Sequence, residues 1–176
     1  AQAQGAAGDY PNRPIRMIVP FPPGGAADTT ARMISEPMAK QLGQPIVVEN
    51  KPGGGATIGA AFVATAPADG YTILYTTPGP QITNPFLMSK LNYNPDDLLP
   101  VSSVASFANV LVVPVNSPAK NVKELIEFAK KNPGKVNFGS SGIGASSHLA
   151  GQLFKSMAGV DIEHVPYKGS GPLVTD

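Results

Sequence analysis

The sequence predicts an α/β fold in two lobes, each built on a parallel, doubly wound sheet. Short β-branched runs alternate with stretches of helical periodicity, the pattern left by parallel strands joined through crossover helices. Glycine- and proline-rich turns follow the strands. The second half repeats the plan of the first (strand, glycine-rich turn, helix, strand) without repeating its sequence.

Ile15 to Val19 is short and β-branched enough to be a buried strand. In Pro20-Phe21-Pro22-Pro23-Gly24-Gly25, which follows, the prolines fix φ and remove donors. The glycines permit positive φ and let a ligand approach the main chain closely. Asp28 and Thr29 stand as helix caps, and a helix is expected from about Thr29 to Leu42. Pro37 should bend or restart it near Glu36, and Gly43 is its C-cap. Ile46 to Val48 is the second strand. Lys51-Pro52-Gly53-Gly54-Gly55 is a second glycine loop, leading to a small-residue helix from Thr57 to Thr65. Asp69-Gly70 turns the chain into a third strand, Tyr71 to Thr76, with Thr77-Pro78-Gly79-Pro80-Gln81 as the loop beyond it. Asn92 to Pro100 is polar, proline-punctuated and expected on the surface.

Val101 to Val113 is a long β-like run of the kind that crosses between lobes. The boundary is placed within residues 102–106, giving a first lobe over 1–103 and a second over 104–176. Val122, Leu125, Ile126 and Ala129 recur at i, i+3, i+4 and i+7, so Val122 to Lys131 is an amphipathic helix, stopped by Pro133-Gly134. Val136 to Phe138 is a short strand. A loop of serines and glycines follows, then a helix from about Ser147 to Met157. Ile162 to Val165 is the last strand, and Tyr167 to Gly171 the loop beyond it.

Composition bounds the function. A chain of 176 residues is one good-sized domain or two small ones and buries a core. Charged residues are only 14% of it, well under the usual quarter, and the net charge is +1. That excludes the basic field a nucleic-acid partner requires. With no cysteine there is no disulfide and no thiolate metal site. No apolar run approaches the roughly 20 residues that span a bilayer. The two histidines, His148 and His164, have no carboxylates at zinc-site spacing, so neither a metal nor a cofactor is expected.

Two stretches carry binding chemistry. Phe21, Pro22, Pro23, Gly24 and Gly25 join a strand to a helix start, where unpaired N–H groups and the positive end of the helix dipole accept an anion. The loop from Ser140 to Ser146, with Ser140, Ser141, Gly142, Gly144, Ala145 and Ser146, adds hydroxyl donors at a second helix start, and is otherwise a solvated capping loop. Asp28 caps its own helix or fixes the loop; its charge opposes direct contact with an anion. Thr76, Thr77 and Gln81 end the third strand and are placed to reach the far end of a ligand. His148 is a helix-start residue packing beside the serine loop. Lys168 is either a surface charge or the cation facing the cleft, and Tyr167 an aromatic wall or a packing residue.

The motifs PFPPGGAAD-x-x-AR, GQPIVVENKPGGG-x-x-IG, A-x-ADGYTIL and HVPYKG run in order through nearly the whole chain. This series resembles the Bug-type extracytoplasmic solute receptors of tripartite tricarboxylate transporters. The resemblance implies a two-lobed, periplasmic binding protein-like fold and a non-enzymatic receptor. Such a receptor captures a small carboxylate in an interlobe cleft, closes by a hinge near residues 102–106, and delivers its cargo to membrane transporter subunits. It implies ligand contact by the Phe21-to-Gly25 loop and by the Gly-Ser-x-Gly-x-Gly-x-x-x-His-Leu pattern that begins at Gly139. Family members often carry Thr-His-x-x-Asn-Pro where this chain has Gln81-Ile82-Thr83-Asn84-Pro85, without the histidine.

It further implies that AQAQGAAGDY remains after a signal peptide is removed, and that Asp176 falls within a helix before the second lobe is complete. Open strand edges then invite strand or lobe exchange with another copy. The rival is a nucleotide-dependent enzyme of doubly wound fold, since Gly142-x-Gly144 lies between a strand and a helix. Against it, Ser147 stands at the third glycine position, and Asp161 and Glu163 precede the strand end where a ribose-binding acid belongs. The first-half loops also lack the Gly-Lys-Ser/Thr of a P-loop.

Overall fold

A computed structural model describes residues 9–176, so most of the leading segment expected to follow signal cleavage lies outside the described residues. The chain divides into two compact units, residues 1–98 and 99–176.

In the first unit, β1 (Ile15–Val19) lies between β2 (Ile46–Asn50) and β3 (Thr72–Leu74), all parallel, in the order β2-β1-β3. Ile15 pairs with Ile46 and Met17 with Ile73, which fixes the register on both edges of β1. As the central strand it buries both faces, hence its near-continuous apolar sequence. Met17 and Val19 form the core with Ala31 of α1 (Ala26–Leu42), and Ile34, Met38, Ile46, Val48, Ile73 and Tyr75 pack around them. On the other face α2 (Thr57–Ala64) lays Phe62 under the Arg16 guanidinium and brings Gly59 against Pro20. Residues 16, 18 and 20 share that face because strand side chains alternate. Helices on both faces make the sheet doubly wound.

Two helix expectations change in detail. α1 starts at Ala26 with Gly25 as its N-cap, because Ala26 and Ala27 are strong helix formers that join the first turn. Asp28 and Thr29 therefore lie inside the helix and are not its caps. The helix also continues through Pro37 to Leu42 without restarting, and ends at Gly43 in the left-handed conformation. Beyond β3 the chain forms a helical turn over Gly79–Thr83 and α3 (Asn84–Leu87), where the sequence suggested only a loop. Prolines at the starts of these turns fix φ and need no donor there.

The expected crossing strand, Val101 to Val113, is not a strand. It is exposed and unpaired throughout, with Val101 92% and Val112 79% accessible. Its β-branched composition favours a pleated surface, but without a neighbouring strand among the described residues there is no ladder to join.

The second unit contains α4 (Val122–Lys131), β4 (Val136–Ser140), α5 (Ser146–Ala158), β5 (Ile162–Pro166) and α6 (Ser170–Thr175). β4 and β5 are parallel, with Val136 opposite Ile162 and Phe138 opposite His164. Ala129, Val160 and Ile162 form its core, with Ile126, Val136, Phe138 and Phe154 against them. α5 packs closely because Gly151 lies over Phe138: a Cβ there would sit 2.1 Å from the ring. Gly151→Ala is therefore expected to destabilise this unit by about 1–3 kcal/mol through overpacking. A urea denaturation midpoint matching the parent's would contradict it.

Candidate anion-binding loops

The loop after β1 is held by one buried carboxylate. Asp28 is 3% exposed, and its Oδ2 accepts the Gly24 N–H at 2.9 Å. Its Oδ1 accepts from Arg32 Nε at 3.1 Å and from Asn50 Nδ2 at 2.9 Å. Asn50 Nδ2 also donates to the Phe21 carbonyl at 3.0 Å, and Arg32 donates to Asn50 Oδ1. Asp28 thus joins the start of α1, the glycine turn and the end of β2. Burial pushes its pKa up, but the hydrogen bonds from Arg32, Gly24 and Asn50, with the Arg32 charge, outweigh that and hold it below the ordinary carboxylate value.

The Asp28 side chain is spent on the loop, and the N-cap residue of α1, Gly25, has no side chain to offer. The first helical bond runs from Thr29 N–H to the Gly25 carbonyl, and the N–H groups of Ala27 and Asp28 meet no acceptor among the described residues. Phe21 packs on the core, Pro22 and Gly25 are half-buried, and Pro23 and Gly24 are exposed, the latter at φ 81°. The loop offers main-chain donors and no cationic side chain of its own.

Around the end of β3, Thr76 and Thr77 are half-buried, and the Thr76 Oγ1 is buried without a partner. Gln81 donates from Nε2 to the Leu98 carbonyl at 2.6 Å, so its amide nitrogen braces the surface segment. Asn84 is fully buried and donates to the Gly55 carbonyl at 2.9 Å, tying this turn to the second glycine loop. That loop carries positive φ at Gly53, Gly54 and Gly55, and also at Ala56.

In the second unit the loop after β4 is braced by its own side chains. Ser140 is fully buried; its Oγ accepts the Gly142 N–H at 3.2 Å and lies 2.6 Å from His164 Nε2. Ser147 Oγ accepts the Ser141 N–H and pairs with the Ser141 hydroxyl, both at 3.1 Å. His148 Nδ1 accepts the Gly144 N–H at 3.2 Å, and the Tyr167 N–H donates to the Ser140 carbonyl. Ala145 is the N-cap of α5 and supplies no side-chain bond, so the N–H groups of Ser146, Ser147 and His148 meet no acceptor among the described residues. Ser146 is exposed and donates from Oγ to Asn109 Oδ1. The Tyr167 hydroxyl donates to the Asp176 carboxylate, and Lys168 is exposed. His148 and His164 both have pKa values lowered by burial, His164 also by the charge of His148.

The structure therefore assembles Phe21 to Gly25 with Asp28 in one unit, and Ser140 to His148 with Tyr167 in the other. Sequence reading missed Asn50, Ser147, His164 and Asn84. Asn50 ends a strand and His164 faces Phe138 across the ladder; only pairing register reveals such partners.

Residues 30–176 match the model of the tripartite tricarboxylate transporter family receptor. The chain belongs to that family. A curated relative from Pseudomonas sp. strain P51, a UPF0065 protein in the tcbD-tcbE intergenic region, is 45% identical over 168 residues, covering 95% of this chain and 50% of that protein. Among solved structures, one described as a periplasmic transporter shares 48% identity with a TM-score of 0.89, over 95% of this chain and 56% of that one. Rpa4515 of R. palustris, solved with adipate, shares 36% identity at a TM-score of 0.82, over 96% of this chain and 56% of that one. MatC of Rhodopseudomonas palustris, solved with bound malate, shares 31% identity at 0.77, over 94% and 57%. The receptor family and its periplasmic binding protein fold thus agree with the motif series. This chain spans about half the length of the relatives it matches.

Asp28→Asn is expected to cost about 1.5–3 kcal/mol, the range for hydrogen bonds to a buried charge. The Asp28 contribution is present above the ordinary carboxylate value and is lost as pH falls through the lowered native one. Parent and variant melting temperatures should therefore converge in acid. A gap that persists unchanged at low pH would show that the ionised carboxylate is not what holds the loop.

Proposed function

We propose that this chain is the solute-capturing part of a periplasmic receptor that takes a small carboxylate with the donor sets of both units and delivers it to tripartite tricarboxylate-type membrane subunits. The supporting observation is the pair of helix starts, at α1 and α5, whose N-cap residues supply no side-chain bond, each behind a turn braced by polar side chains of the helix that follows. Each charge-assisted hydrogen bond to a carboxylate is worth about 1.5–3 kcal/mol. A helix start adds about 0.3–1 kcal/mol. After association costs, a handful of these gives affinities around micromolar. Donors that are neutral also suit a chain with so few charges. The adipate and malate structures of the two relatives point to dicarboxylates.

An enzymatic role is not proposed. The Ser140–His164 contact has no acid orienting the histidine among the described residues, and Ser140 is fully buried. We also propose that this chain associates with a second copy, through open sheet edges or the exposed apolar run over 99–115.

Isothermal titration with adipate and malate tests the main reading, with a dissociation constant of about micromolar order expected. Gly24→Val should weaken binding more than about tenfold by forcing a branched residue into positive φ and blocking approach to the main chain. Ser141→Ala should weaken it by about fivefold, the worth of one hydrogen bond. Parent-like affinity in both variants would move the site elsewhere, and no heat with any mono-, di- or tricarboxylate would remove the reading. For self-association the readout is size-exclusion chromatography with light scattering: a concentration-dependent dimer is expected, and a monomer at all concentrations contradicts it.

A further inference from the structure

Two histidines, His148 of α5 and His164 of β5, stack behind the serine loop. The His148 and His164 ring centroids are 4.2 Å apart with 24° between planes, and His164 stacks in turn on Phe138 at 4.9 Å. Both rings brace the loop, in chemically different ways: His148 holds a main-chain N–H and His164 the Ser140 hydroxyl. A backbone N–H can only donate, so the Gly144 contact requires His148 Nδ1 to carry a free lone pair. Ser140 Oγ, by contrast, can either donate to or accept from His164 Nε2, because a hydroxyl rotates. When His164 Nε2 carries a lone pair the hydroxyl donates to it; when Nε2 carries a proton the hydroxyl accepts from it and donates instead to the Gly142 carbonyl, 3.2 Å away.

We propose that the His148–His164 stack is an acid-sensitive latch on the Ser140–Ser147 loop. A proton on His164 leaves the loop intact; a proton on His148 Nδ1 releases Gly144. This deepens the carboxylate reading of that loop and rests on it for its consequence, weaker anion capture in acid.

Two cations stacked at this spacing repel, so the pair titrates in two steps. Burial lowers both values, in the direction that keeps the latch closed at neutral pH. The charged groups nearby do not offset this. Glu163 precedes His164 on β5 and projects to the opposite face. Lys155 on α5 is engaged with Asp161 and the Ile162 carbonyl, Asp176 takes the Tyr167 hydroxyl, and Lys168 is exposed. Neither ring contacts a charged group other than its partner ring among the described residues. A histidine whose native pKa is lowered favours the closed loop above the ordinary value near 6.5, and that advantage falls as pH drops through it toward the native value.

The test is an NMR titration of the 176-residue chain without ligand, from pH 8 to pH 4.5, following both imidazoles and the loop amides. The Gly144 amide should shift with the His148 midpoint and not with that of His164. His164→Phe keeps a stacked ring without charge, so Gly144 should still follow the His148 midpoint. His148→Leu should abolish the Gly144 step. A Gly144 amide that does not move as His148 titrates, or that moves with His164 instead, would overturn the proposal. Adipate calorimetry at pH 7.5 separates the two readings: absence of binding there counts against the carboxylate site, while the ligand-free titration still decides the latch.

Discussion

The constraint on which this structure depends is that a helix starting behind a glycine turn exposes main-chain donors only if the turn is held by something else. A helix N-terminus leaves four N–H groups without intrahelical partners, and most helices cover some of them with a Ser, Thr, Asp or Asn cap. Here α1 begins at Gly25 and α5 at Ala145, neither of which supplies a side-chain cap. The polar side chains that would normally serve lie one turn further on or across the sheet, and they grip the preceding loop.

Each unit meets the constraint with different chemistry. In the first, a single ionised group, Asp28, gathers Gly24, Asn50 and Arg32, and Asn50 passes the tie on to the Phe21 carbonyl. In the second, neutral groups act in series: Ser140 on Gly142, Ser147 on Ser141, His148 on Gly144. An ionised brace loses its hold when a carboxylate gains a proton; a histidine brace loses it when an imidazole does. The two loops therefore answer to different ranges of pH although they present similar donors.

Much of the fold was legible because strands and helices of this class leave strong local patterns. β1 and α4 fall at the expected residues, since one is an apolar run flanked by turn formers and the other has helical period and an Asn121 cap. The start of α1 was misplaced because Asp28 matches cap chemistry locally, while its real partners, Asn50 and Arg32, depend on parallel pairing and helix docking. The stretch from Val101 to Val113 failed for the complementary reason: strand propensity is realised only through a neighbour. At the site, glycine loops and serines were visible in the sequence. His164 was not, because its relation to Ser140 exists only through the β4–β5 register.

Uncharged donors at helix starts make a specific structural demand on any bound anion. A crystal structure of the chain soaked with adipate measures it most directly. The account predicts carboxylate oxygens at about 2.7–3.2 Å from the N–H groups of Ala27 or Asp28, or of Ser146 to His148, with no lysine or arginine side chain upon them. An adipate carboxylate paired instead with Lys51, Arg32 or Lys168, with both helix starts facing only solvent, would contradict it.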